Sequence, residues 1–145
     1  MEDAEKLLVS IQKQDPTFLK AEIHILYGDK LASPFYKDYE SAIDQYEAAA
    51  AIESKNVECH IKLANLYELR RDFEQAIKIY KKILKHDPSN FQALMKIGLV
   101  YIRNNMKDKG LQNLKAAYKI DSENLDLKLK LADVYIKYGN IEIAQ

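Results

Sequence analysis

Apolar residues recur along this chain at helical spacing, in short blocks that turn residues separate. Residues 57–90 show the pattern most clearly, because each of two segments there has one apolar face. The first face consists of Leu63, Ala64, Leu66 and Tyr67, and the second consists of Ala76, Ile77, Tyr80, Ile83 and Leu84. Two such helices can pack together as an antiparallel hairpin. No stretch alternates apolar and polar positions as a strand would, so the sequence predicts an all-α fold without a β-sheet.

The pattern repeats every 34 residues. A small residue is followed three places on by tyrosine and, nine places later, by a second small residue. The three sets are Ala64, Tyr67 and Ala76, then Gly98, Tyr101 and Gly110, and then Ala132, Tyr135 and Ala144. A fixed period of this length is typical of a helical solenoid, in which neighbouring hairpins bury each other's apolar faces. Arrays of this kind present extended surfaces that bind other proteins.

Polar residues mark the predicted starts of the helices, where a side-chain oxygen can accept from the exposed N–H groups of the first turn. The candidate caps are Asn56, Asn90 and Asn124 for the first helices and Asp38, Asp72 and Asn140 for the second helices. The third repeat has Met106 at this place, so its second helix should lack a side-chain cap. Gly110 lies inside the same helix, where glycine lowers helix stability. On this basis Gly110→Ala is expected to stabilise the fold.

These residues closely resemble the tetratricopeptide repeat family. The family's order of an apolar residue, a small residue, Tyr, Ala, an aromatic residue and Pro is matched by Leu63, Ala64, Tyr67, Ala76, Tyr80 and Pro88. The resemblance implies a right-handed α-solenoid of antiparallel helix hairpins that forms a single array over residues 1–145. Its predicted parts are a second helix of a partial repeat at 1–16, a divergent repeat at 17–56 with a loop insertion near 33–38, full repeats at 57–90 and 91–124, and a truncated repeat at 125–145. The first helix of the divergent repeat could be registered on Gly28 or two residues earlier.

The same resemblance implies a non-catalytic scaffold with a concave groove lined by the first helices. The positions expected to point into this groove are Ile61, Asn65, Glu68, Met95, Leu99, Ile102, Leu129, Asp133 and Ile136. Six of the nine are apolar, which suits a helix or extended segment of a partner protein. The alternative for these residues is packing against neighbouring repeats or another part of the same protein. The alternative for the function is a regulatory or targeting segment of a larger enzyme or multi-subunit complex.

Family members that clamp the C-terminal carboxylate of heat-shock chaperones use Lys, Asn, Asn, Lys and Arg in the groove. The corresponding residues here are Ile61, Asn65, Lys96, Asp126 and Lys130. Only fragments of the clamp are present, and anion capture needs convergent donors. The sequence therefore favours an apolar partner segment over a chaperone tail.

Charge is balanced overall and unevenly distributed. The chain has 22 basic and 22 acidic residues, so it lacks the positive field expected of a nucleic-acid binder. Residues 1–60 carry an excess of about six negative charges and residues 61–145 an equal positive excess, so an acidic partner would favour the second half. The lysine run at 78–85 faces away from the apolar side of its helix, and a solvated outer face is its ordinary interpretation.

No constellation of residues indicates catalysis or a cofactor. Four scattered glycines do not form a phosphate-binding loop. His24, His60 and His86 are dispersed, and Cys59 and His60 are adjacent on a predicted helix, so they point about 100° apart and cannot chelate one metal ion together. Nothing places a base beside Cys59, which is expected to be a small buried residue.

Compartment and partners follow from the remaining features. A lone cysteine fits a reducing compartment, and no export signal or apolar membrane span is visible, so we expect a cytoplasmic protein, with a nuclear or ciliary location as the alternative. The expected partner is a protein or peptide, with no nucleic acid and no membrane. Neither end has the polar outer face that usually closes a solenoid, so self-association through the uncapped terminal helices is a further expectation.

Overall fold

The computed structural model describes residues 18–138 and the single positions 6 and 10. Within that part of the chain there are seven helices and no strand: α1 (Phe18–Ala32), α2 (Tyr39–Ile52), α3 (Val57–Leu69), α4 (Phe73–His86), α5 (Phe91–Arg103), α6 (Lys107–Ile120) and α7 (Leu125–Tyr138). The prediction of an all-α chain is confirmed. The chain divides into two compact units, residues 1–72 and residues 73–145. The division into repeats stays a prediction.

In the first unit α1 packs against α2, and α2 packs against α3. Gly28 of α1 lies close to α2, because a Cβ atom on it would lie only 2.6 Å from Cε1 of Tyr46. In the second unit Gly98 has the same relation to Leu114, at 2.8 Å from Cγ. Tyr46 and Leu114 lie two periods of 34 residues apart, so the register of α1 is the one set on Gly28.

The connection between α1 and α2 is longer than its counterpart in the second unit. It comprises the six residues 33–38, whereas α5 and α6 are joined by the three residues 104–106. Both connections contain a residue in the left-handed backbone region, Lys37 with φ 51° and Asn105 with φ 62°. The extra residues of the longer connection place Phe35 in solvent.

The side-chain caps form where the sequence predicts them. Asn56, Asn90 and Asn124 accept from the backbone N–H three residues on at 3.0, 2.9 and 3.0 Å, and Asp38 does so at 3.2 Å. Met106 makes no side-chain cap hydrogen bond, as expected. The cap at Asp72 stays a prediction, and Asn140 lies outside the described residues.

In the second unit α5 packs against both α4 and α6, and α6 packs against α7. A core cluster joins α5, α6 and α7. Its buried members are Leu94, Leu111, Leu114, Ala117, Leu127, Leu131 and Val134. The apolar face of α4 is buried through Ala76, Ile77, Tyr80 and Ile83.

Helices α5 and α6 cross at a pair of glycines. A Cβ atom on Gly110 would lie 2.5 Å from Cγ1 of Ile102 and 2.7 Å from the carbonyl oxygen of Gly98. A Cβ atom on Gly98 would in turn lie 3.0 Å from the carbonyl oxygen of Gly110. These contacts argue against the expectation that Gly110→Ala stabilises the fold, and we now expect a loss of stability, because helix propensity is the smaller effect where two backbones touch.

Candidate partner-binding surface

Helix α3 carries the first three predicted groove positions. The spacing of Ile61, Asn65 and Glu68 places them on one face of the helix. Ile61 is only 6% exposed, so its side chain lies in the protein interior. Asn65 and Glu68 are half-buried, and each already interacts with another group of the protein. This part of the predicted groove presents mainly polar atoms.

Helix α5 carries the next three positions, which are all apolar. Met95, Leu99 and Ile102 are half-buried and pack against the core cluster of the second unit. Ile102 also covers Gly110 at the helix crossing. These side chains therefore contribute to the packing of the unit and leave only part of their surface for a partner.

Helix α7 carries the last three positions, and here the apolar side chains are in solvent. Leu129 is 62% exposed and Ile136 is 79% exposed, while Asp133 is exposed and lies 3.7 Å from the Nζ of Lys137. Leu125, one turn before Leu129, is 69% exposed and was not among the predicted positions. Its spacing of four residues from Leu129 was the signal that could have identified it.

Together these residues form a continuous apolar strip on α7, which we call the α7 apolar face. It comprises Leu125, Leu129, Ala132 and Ile136, all exposed. The helical period of 3.6 residues aligns them along one side over three turns. The opposite side of α7 is buried in the core through Leu127, Leu131 and Val134. Helix α7 is thus apolar on both sides, and the core covers one of them.

The charged residues that flank the α7 apolar face are compensated within the chain. Lys130 bonds to the carboxylate of Asp126 at 2.7 Å, and Lys128 lies 3.3 Å from Glu123. These are exposed pairs of modest energy. Because these flanking charges neutralise each other in pairs, a partner would contact the α7 apolar face mainly through apolar side chains.

A polar network in the first unit lies close to the predicted groove positions of α3. Asp29 of α1 accepts from the hydroxyl of Tyr46 at 2.6 Å and from the Nζ of Lys62 at 2.7 Å. Burial, and next the bond to Asp29, raises the pKa of the Tyr46 hydroxyl. The network ties α1, α2 and α3 together and satisfies its own charges. It was missed at the sequence level, although Asp29 follows Gly28 as Asn65 follows Ala64.

His24, His60 and Cys59 form hydrogen bonds within the first unit. His24 Nδ1 lies 2.7 Å from Oε1 of Gln45, and His60 Nε2 lies 2.7 Å from the carbonyl oxygen of Ser54. Cys59 is buried, as expected, and its thiol donates to the carbonyl oxygen of Tyr46 at 3.3 Å. Burial raises the pKa of this thiol to about 11, which leaves it protonated and unreactive at neutral pH.

Among the residues that the structure describes, no group of three or more His, Cys, Asp or Glu side chains is placed to hold a metal ion. None of the seven helices is long and apolar enough to cross a bilayer.

Family models described as tetratricopeptide repeat match residues 36–97 and 91–124. No curated protein sequence matches the chain. Among solved structures, a tetratricopeptide repeat protein from Parabacteroides merdae ATCC 43184 superposes on 97% of this chain with a TM-score of 0.81 at 20% identity. The chain spans 54% of the length of that protein.

Two further solved structures share the fold. MamA superposes on 91% of this chain and 75% of its own length, with a TM-score of 0.73 at 17% identity. The first tetratricopeptide repeat domain of Spaghetti (RPAP3), bound to the HSP90 peptide SRMEEVD, covers 83% of this chain and 94% of its own, with a TM-score of 0.72 at 16% identity. At these identities the likeness concerns the fold alone. It confirms the predicted class, an all-α solenoid.

Proposed function

Because the chain belongs to the tetratricopeptide repeat family, whose models match it from residue 36 to residue 124, we propose that it is a protein-binding scaffold. Repeats of this family are typically non-catalytic interaction modules. The partner segment is a helix or an extended stretch with apolar side chains, and it is bound through the α7 apolar face together with Met95, Leu99 and Ile102, the predicted groove positions of α5. The observation that supports this most directly is the exposure of Leu125, Leu129 and Ile136 along one side of α7.

The exposed apolar residues of α7 are contiguous along one side of the helix. Single exposed apolar residues are common on monomers, whereas a continuous strip is typical of an interface. Full burial of one Leu or Ile side chain stabilises by about 1.5–3 kcal/mol. A strip of three such side chains can therefore supply much of the free energy of a weak, specific complex, less the cost of ordering the partner.

A charged chaperone tail is a poorer fit, although the RPAP3 domain in its solved structure holds an HSP90 peptide. Where family members that clamp such tails have lysine, this chain has Ile61, and that side chain is buried. Lys130, which stands where the clamp has arginine, donates to Asp126 at 2.7 Å. A peptide carboxylate would have to displace this intrachain pair before it could bind.

A second candidate function is a regulatory or targeting segment of a larger protein. The exposure of Leu125, Leu129 and Ile136 suits this function as well. In that setting the α7 apolar face packs against further parts of the same assembly. The lone buried Cys59 favours a reducing compartment such as the cytoplasm for either function.

The test replaces two exposed residues of the α7 apolar face, Leu129→Glu with Ile136→Glu, and compares partner capture from a lysate by quantitative mass spectrometry. Leu99 is left intact because it packs against the core cluster. A matched control, Tyr118→Glu with Ile120→Glu, changes two exposed residues of α6. The proposal expects the first variant to lose partners that the wild type and the control retain, with helicity unchanged by circular dichroism.

Equal capture by all three proteins would contradict the proposal. If the wild type instead forms dimers or larger species by light scattering and the α7 variant does not, the face binds a second copy of the chain. That result would match the expectation of self-association through the terminal helices.

A further inference from the structure

Helix α4 presents a stripe of four exposed lysines, Lys78, Lys81, Lys82 and Lys85, which we call the lysine stripe. Their spacing of three, one and three residues places all four ammonium groups on one side of the helix over two turns. The other side of α4 is buried through the apolar face already described. The stripe is therefore held on a fixed helix and faces solvent.

The four ammonium groups have no ionic partner among the residues that the structure describes. Some lysines elsewhere in the chain do pair, as Lys62 does with Asp29 and Lys130 with Asp126. On the C-terminal side of the stripe, Asp87 accepts from the side chains of Ser89 and Asn90. The positive charge of the stripe is thus left for solvent or for an external anionic group.

The fold does not require lysine at these positions. The residues 34 places earlier, at equivalent positions of α2, are Asp44, Glu47, Ala48 and Ala51. The residues 34 places later, on α6, are Gln112, Lys115, Ala116 and Lys119. Acidic, neutral and basic residues therefore all satisfy the same structural position. Lys115 and Lys119 are exposed as well, so both second helices of the second unit carry basic groups here.

We propose that the lysine stripe binds an acidic segment of another protein, an extended stretch rich in Glu and Asp. Charge complementarity favours an acidic partner, because several carboxylates in sequence can each contact an ammonium group. Such contacts also raise the association rate. A membrane surface is a poorer match, since interfacial helices insert an apolar face and that of α4 is buried. Single-stranded nucleic acid prefers exposed aromatic rings for stacking, and Tyr80 of α4 is fully buried.

This surface is separate from the α7 apolar face, and the inference goes beyond the proposed function. It concerns a second helix of the repeat, whereas the groove positions all lie on first helices. If the α7 apolar face proved to bind no partner, the proposal for the lysine stripe would still stand.

The experiment measures fluorescence anisotropy of a labelled peptide of about ten glutamates at about 50 mM salt, where screening is weak. The stripe variant combines Lys78→Gln, Lys81→Gln, Lys82→Gln and Lys85→Gln. The control combines Lys20→Gln, Lys55→Gln, Lys128→Gln and Lys137→Gln, four other exposed lysines, so both proteins lose the same net charge. We expect the dissociation constant to rise about tenfold or more in the stripe variant and less than about twofold in the control.

Equal weakening in the two variants would overturn the proposal, because net charge alone would then explain binding. Tighter binding to single-stranded DNA or to phosphatidylserine vesicles than to the acidic peptide would overturn the choice of partner. Salt-sensitive dimers of the wild type that the stripe variant does not form would assign the stripe to the acidic residues of a second copy.

Discussion

Replacing Gly110 with alanine tests the close crossing of α5 and α6. The new methyl group would lie 2.5 Å from Cγ1 of Ile102 and 2.7 Å from the backbone oxygen of Gly98. The isoleucine side chain can rotate, whereas the carbonyl oxygen moves only if the two helices separate. Separation would loosen the core cluster, in which Leu94 and Leu114 lie on these two helices.

Two opposing effects decide whether Gly110→Ala raises or lowers the free energy of unfolding. Alanine in place of glycine inside a helix stabilises by about 0.5–1 kcal/mol. Overpacking of a well-filled contact costs about 1–3 kcal/mol. We therefore expect Gly110→Ala to lower the free energy of unfolding by about 0.5–2 kcal/mol. The loss should appear in urea denaturation followed by far-UV circular dichroism.

Two variants serve as controls for this measurement. Gln112→Ala changes helix propensity at an exposed position of the same helix, and it should be neutral or slightly stabilising. Gly98→Ala should also destabilise, because its methyl group would lie 2.8 Å from Cγ of the buried Leu114 and 3.0 Å from the oxygen of Gly110. If Gly110→Ala unfolds at the same or a higher urea concentration than the wild type, the helices are free to separate and the reasoning fails.

Two further predictions concern a missing cap and a tyrosine. Met106→Asp should stabilise by about 0.5–1 kcal/mol in urea denaturation, because Met106 starts α6 without a side-chain cap, and an unchanged midpoint would contradict this. Burial, and next the bond to Glu47, raises the pKa of Tyr67 from 10.0 to about 12. Folding thus favours the protonated hydroxyl, so its contribution to stability is complete below pH 10 and is lost as the pH rises through about 12. Tyr67→Phe should flatten the alkaline fall in stability, and an identical pH profile for both proteins would refute the assignment.

Local features of the fold were predictable from the sequence. A capping asparagine needs only the N–H groups three residues on, so Asn56, Asn90 and Asn124 could be assigned without any knowledge of packing. The fixed period gave the helix pairs for a similar reason, since each small residue marks a place where neighbouring helices approach. These signals depend on residues close in sequence.

Features that depend on distances between helices were not predictable. The role of Gly110 required the position of the Gly98 oxygen on another helix. Met95 and Leu129 hold the same place in the repeat, yet Met95 is half-buried and Leu129 is exposed. The reason is tertiary, because α5 lies between α4 and α6, whereas α7 packs against α6 at the end of the described chain.

The single thiol of this chain can be used to measure local opening in one half of the molecule. Cys59 is fully enclosed within the first unit, and residues 73–145 contain no cysteine. A reagent such as an aromatic disulfide can react with this thiol only when the structure around it opens transiently. The labelling rate therefore measures local opening around Cys59 and gives no information on the second unit. The wild-type protein therefore reports on opening around Cys59 in its first unit, without an introduced probe.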